Sequence, residues 1–169
     1  GAVDLVFGDQ EEMGFGARVA TALTELNGGV ITSSTGRQTA ALTWGQPATW
    51  CDYTGLIDGH RCGITLMSHP SNFRPAWWHN RDYGVFVANP FGRAAMKQGA
   101  PDTTTVKKGT SLILRFAAAL HASPDGRPVD PATFHQSIIT SRGESGVRAS
   151  GKTKRLAQSA PNIQERAGY

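Results

Sequence analysis

Only two cysteines occur in 169 residues, too few for a disulfide framework. No apolar run approaches the ~18 residues of a membrane span. A charged-then-apolar leader is missing as well. Gly1 runs straight into Ala2-Val3-Asp4-Leu5-Val6-Phe7, as a sequence would that begins inside a longer reading frame. Charge is sparse at 18% of residues, but 39% hydrophobic content is that of a globular chain, not a disordered one. The body also lacks a basic excess. The sequence pI is 9.4, yet residues 1–140 hold eleven Lys/Arg against eleven Asp/Glu. Six basic and two acidic residues in 141–169 carry the whole net charge of +4. A surface that tracks phosphates needs its cations on the folded body, so no nucleic-acid partner and no membrane are expected.

What is present is strand signal. β-branched or alternating runs fall at 2–7, 15–23, 29–33, 49–57, 60–68, 83–88 and 110–121. Turn clusters such as Asn27-Gly28-Gly29 and Ser34-Thr35-Gly36 separate them. Strands this frequent, without helical periodicity between them, predict an all-β antiparallel sandwich or barrel. The alanines of Leu112–Leu120 would also suit a helix; after the Lys108-Gly109 turn the run reads as a strand. One short helix is expected near 130–138, with Asp130 as N-cap and Pro131 at the first helical position. Residues 1–140 read as one sandwich domain, and the polar, Gly/Ser/Lys/Arg-rich 141–169 as a flexible basic tail.

Asp58-Gly59 between Leu56-Ile57 and His60-Arg61 predicts a two-residue hairpin turn. That register pairs Cys62 with Gly55 and Cys51 with Leu66. The sulfurs then lie roughly 13 Å apart along the ladder, too far for a disulfide, so two buried free thiols are expected. Period-2 alternation puts Trp50, Asp52 and Thr54 on one face with Thr65, Met67 and His69. The opposite face, with Cys51, Tyr53, Gly55, Ile57, Cys62, Ile64 and Leu66, is a core face.

All four tryptophans and nine of the fourteen aromatics lie within residues 44–91. The densest polar stretch runs from His69 through Asn72, Arg74, Trp77, Trp78, His79, Arg81 and Asp82 to Gly84. Indoles beside arginines, amides and carboxylates suit a sugar site, where C–H faces stack on rings and hydroxyls take polar partners. The adjacent acids Glu11 and Glu12, between Gly8 and Gly14, suit acid/base work. Against this stand plainer readings: a histidine bonded within a polar loop, a solvated turn at Glu11-Glu12, one core and one exposed indole at Trp77-Trp78. A His₂/carboxylate metal set from His69, His79 and Asp52 or Asp82 is the rival chemistry, but no spacing here has motif strength.

Several of these segments together, Gly8 to Gly16, Trp50-Cys51-Asp52-Tyr53, Gly63 to Met67, His69 to Asp82 and Ala88-Asn89-Pro90-Phe91-Gly92, resemble the bacterial DUF6807 family, whose members often bear the label "methane oxygenase PmoA-like". The resemblance covers about residues 3–122 and corresponds to the C-terminal part of the family domain. It implies a β-sandwich and a gene context of sugar catabolism in bacteria that degrade complex glycans. The family's motif positions fall on Glu11, Glu12, Asp52, His69, Asn72, Arg74, Trp78, His79, Arg81, Asp82 and Asn89. Two departures stand out: a preceding β-stretch with its own His-rich motif is absent, and the segment after Thr140 does not match the family's C-terminus. A site completed by a second copy of the chain follows as an expectation.

These readings converge on a jelly-roll or mutarotase-like half-sandwich, homodimeric, periplasmic or secreted, and acting on a plant or microbial poly- or oligosaccharide. The expected activity is glycoside hydrolysis, with Glu11, Glu12, Asp52, His79 and Asp82 as catalytic candidates. Trp50, His69, Asn72, Arg74, Trp77, Trp78, Arg81 and Asn89 are the substrate-binding candidates. No cofactor is required by this chemistry. A carbohydrate-binding module without turnover, and a lyase or oxidative enzyme using a divalent metal, are the alternatives.

Overall fold

A computed structural model of the chain describes residues 2–123 and 125–140; the tail expected over 141–169 lies outside them. The architecture is all-β and sandwich-like, in antiparallel sheets. Among the described residues nine strands run in chain order as β1 Leu5–Phe7, β2 Phe15–Arg18, β3 Val30–Ser33, β4 Trp50–Ile57, β5 His60–Ser68, β6 Trp77–Asn80, β7 Val85–Asn89, β8 Thr104–Val106 and β9 Phe116–Ser123. They pair as a four-stranded sheet β3-β4-β5-β9, a three-stranded sheet β2-β7-β6 and a small β1-β8 ribbon.

The core sits between the two larger sheets. Ile31, Cys51, Tyr53 and Leu66 from one meet Trp78, Phe86 and Ala88 from the other. Tyr53 and Phe86 meet edge to face with centroids 5.7 Å apart. The Tyr53 hydroxyl donates to the Asp82 carbonyl and accepts from the Glu25 amide, so a core residue also pins the turn after β6.

The β4–β5 hairpin has the expected register, with Ile57 opposite His60, Gly55 opposite Cys62 and Cys51 opposite Leu66. Asp58 and Gly59 both take positive φ, 51° and 79°, which a two-residue turn of the primed type demands. The two cysteines are free; Cys51 is fully buried and Cys62 only partly so. Helix α2, Pro131–Thr140, starts where expected, with the Asp130 carboxylate accepting from the Ala132 amide. The run after Lys108-Gly109 departs from expectation: residues 112–115 are irregular, and the strand begins only at Phe116. β6, β8 and the one-turn helix α1, Ala40–Thr43, had no clear signal in the sequence.

Candidate functional site

β6 alternates. Trp78 and Asn80 point into the core, where both are buried, so Trp77, His79 and Arg81 project from the outer face of the three-stranded sheet. Above that face lies the turn between β1 and β2, which carries Glu11 and Glu12. Asn89 holds the turn there. Its amide donates to the carbonyls of Gln10 and Glu11, and its oxygen accepts from the amides of Phe91 and Gly92. A side chain on Gly92 would press its Cβ to within 2.2 Å of the Gln10 carbonyl oxygen, so the two segments touch backbone to backbone. Asp9 adds a second clamp by accepting from the amides of Ala94, Ala95 and Asp102. Burial works against its ionisation, but these amides and the Arg93 charge outweigh it and hold the carboxyl below its ordinary value.

The product of these clamps is an imidazole between two carboxylates. His79 Nδ1 lies 3.1 Å from Glu11 Oε2, and Nε2 lies 3.5 Å from Glu12 Oε1. Neither contact is aligned as a hydrogen bond, so both ring nitrogens are near carboxylates but bound to none. Arg81 donates to the same Glu11 oxygen at 2.7 Å and so offsets its charge. Burial, then the Arg81 charge, push the His79 pKa below its ordinary value against the pull of Glu11 and Glu12. His79 is thus a neutral base near pH 7. The two acids differ sharply in access. The His79 side chain is 1% exposed behind them, whereas Glu12 is 70% exposed against 36% for Glu11. Indoles and cations flank the cluster: Arg81 and Lys97 lie over the Trp44 ring, and Arg93 lies over Trp77.

Six expected site residues are therefore gathered here: Glu11, Glu12, Trp77, His79, Arg81 and Asn89. Asp52 and His69, expected to share one candidate metal set with His79 or Asp82, are not gathered with them. Asp52 projects from the outer face of the other sheet, so the whole sandwich lies between it and His79. Asp52 and His79 are also both buried rather than surface-lying. Asp52 Oδ1 instead accepts from Thr65 Oγ1 at 2.6 Å and sits 2.7 Å from His121 Nε2. The Phe134 ring of α2 stacks on that imidazole.

The remaining candidates are dispersed. His69 lies past the end of β5 and bonds Ser71. Asn72 braces the irregular segment before β9 through both the amide and the carbonyl of Arg115. Arg74 pairs with Asp102. Trp78 is wholly buried, with Nε1 donating to the Ala48 carbonyl, so it presents no face to a ligand. Trp50 sits on the Asp52 face opposite Met67. Asp82 is exposed and contributes its backbone carbonyl to Tyr53.

Sequence reasoning missed His121, Arg93, Lys97 and the role of Trp44. His121 had no usable signal in the sequence, because only the β5–β9 pairing sets it opposite Gly63 of the hairpin. Among the described residues, no group of three or more His, Cys, Asp or Glu is arranged to hold a metal ion. None of the described helices is long and apolar enough to cross a membrane.

The family model that matches the chain is "Family of unknown function (DUF6807)", over residues 1–130. No curated protein and no solved structure matched it.

Proposed function

Because the chain belongs to DUF6807, whose function is unassigned, we propose a function from the site itself: a glycoside hydrolase in which Glu12 and His79 share the proton transfers. The observation that carries this is the neutral His79 held behind a solvent-facing carboxylate, 3.5 Å from it. Rotation of the exposed Glu12 side chain uncovers His79 Nε2, which takes a proton from the attacking water. The Glu12 carboxylate relays that proton from His79 to the glycosidic oxygen as the bond to the anomeric carbon breaks, so that one water is consumed and both groups are restored. Glu11, held by Arg81, lies against the imidazole from its other side. Trp77 and Trp44 supply flat apolar faces for sugar rings.

The homodimer belongs to the same proposal. Leu5, Phe7, Met13, Phe91, Leu112 and Leu114 line an open apolar groove of about 520 Å³, beside the exposed Val3 and Val6. A second copy would cover it, and light scattering should give twice the 18.0 kDa chain mass; a monomer at working concentration would remove this part.

The activity is tested by reducing-end release from a panel of oligosaccharides. Glu12→Gln and His79→Gln should lose about 10²-fold or more in kcat with unchanged circular dichroism. Trp77→Ala should raise KM and leave kcat nearly intact. Unchanged turnover in both Glu12→Gln and His79→Gln would remove the assignment. Sugar binding without turnover, retained in both variants, would favour the binding-module alternative.

A further inference from the structure

The outer face of the four-stranded sheet holds a second polar assembly, separated from His79 by the whole sandwich. Its centre is Asp52, whose side chain is only 5% exposed. Both protein donors, Thr65 Oγ1 and His121 Nε2, converge on Oδ1, and no described residue donates to Oδ2. The His121 ring can reach across the sheet because its partner is Gly63. A Cβ there would lie 2.6 Å from the imidazole and 2.8 Å from the Tyr53 carbonyl oxygen. His121 Nδ1 is buried without a partner, so an oriented carboxylate has been built at some cost in unsatisfied polar surface.

Asp52 lines a pocket of about 220 Å³ together with Thr32, Gln38, Thr54 and Arg61. Val30 and, at the entry to α2, Val129 and the prolines 128 and 131 form its remaining wall. Arg61 donates through Nε to the Gly126 carbonyl and has no ion pair among the described residues. An anion is disfavoured beside Asp52 and a cation beside Arg61, which leaves a neutral ligand with both donors and acceptors. Hydroxyls meet that need: each can donate to Asp52 Oδ2 and accept from the Arg61 guanidinium or the Gln38 amide. The volume lies below the ~300 Å³ at which pockets for drug-sized ligands begin, which selects one ring rather than a chain.

We propose that this pocket is a binding site for a single neutral, pyranose-sized polyol, anchored on Asp52 and walled by the 128–131 segment. It does not depend on the His79 reading, because no residue is shared between the two.

The test is a titration of the full chain, ¹⁵N-labelled, with glucose, galactose and xylose to about 50 mM each, a range suited to weak sugar binding. One of them should saturably shift the His121 ring nitrogens and the Thr32 and Thr54 amides. Asp52→Asn should weaken that binding about tenfold or more. Gln38→Ala, whose side chain is exposed and outside the core, should weaken it severalfold without loss of fold, and so keeps the test open should Asp52→Asn unfold. Three outcomes would overturn the proposal: no saturable shift with any sugar, shifts confined to His79 and Trp77, or unchanged affinity in Gln38→Ala and folded Asp52→Asn.

Discussion

His79 is an imidazole whose environment argues with itself. Two carboxylates within 3.5 Å favour its charged form, while burial and Arg81 disfavour it, and the second pair prevails. The consequence for stability has a definite sign. With the folded pKa below the ordinary value of 6.5, the unfolded chain binds more protons at this position as pH falls. Stability from this residue is complete above about pH 6.5 and is lost as pH drops through the lowered folded value. Urea midpoints measured at pH 7.5 and pH 5 should therefore fall further in the wild type than in His79→Gln. His135 also has its pKa lowered by burial, so the difference between the two proteins, not the wild-type slope, reports His79. Equal drops would show that His79 titrates alike in both states.

At the scale of elements, the β4–β5 hairpin was fully legible because Asp58-Gly59 fixes the turn and period 2 then fixes every face. The core face of Cys51, Tyr53 and Leu66 follows from it. β6 was not legible. Trp77-Trp78-His79-Asn80 looked like a dense polar loop, because two of its four residues face away from the core and carry the site. Alternation gives a side chain its face only once its strand is known, and it never says which sheet the strand joins. That is why Asp52 and His79 were expected together although they belong to different sheets. Residues brought near by long-range pairing, such as His121 through the β5–β9 ladder, leave no local trace in sequence. The hairpin also supplies a test of packing. Gly63→Ala would place a methyl against the His121 ring and the Tyr53 carbonyl, and should cost about 1–3 kcal/mol. Denaturant unfolding reads this directly, and the histidine ¹⁵N spectrum should show His121 displaced from Asp52. A silent Gly63→Ala would mean that the ring has room to move.

The described residues form a small sandwich with its core between two sheets and a polar assembly on each outer face. Each face is assembled by segments distant in sequence. Glu11 meets Arg81 across 70 residues, Asn89 holds the 10–11 backbone across 78 and 79, and Asp52 meets His121 across 69. Neither assembly can therefore form before the sheets do. The net charge of the chain lies outside this body, whose own basic and acidic residues cancel, so what the faces select must come from local groups rather than from a global field. The proposed hydrolase rests on one such local arrangement, the neutral His79 behind the exposed Glu12. The pH dependence of kcat/KM on an oligosaccharide substrate, in wild type and His79→Gln, tests it most directly. The wild-type rate should fall on the acid side, below about pH 6.5, as His79 takes up a proton. That limb should be missing from a His79→Gln profile lying about 10²-fold lower. A His79→Gln protein with the wild-type rate and the same acid limb would contradict it.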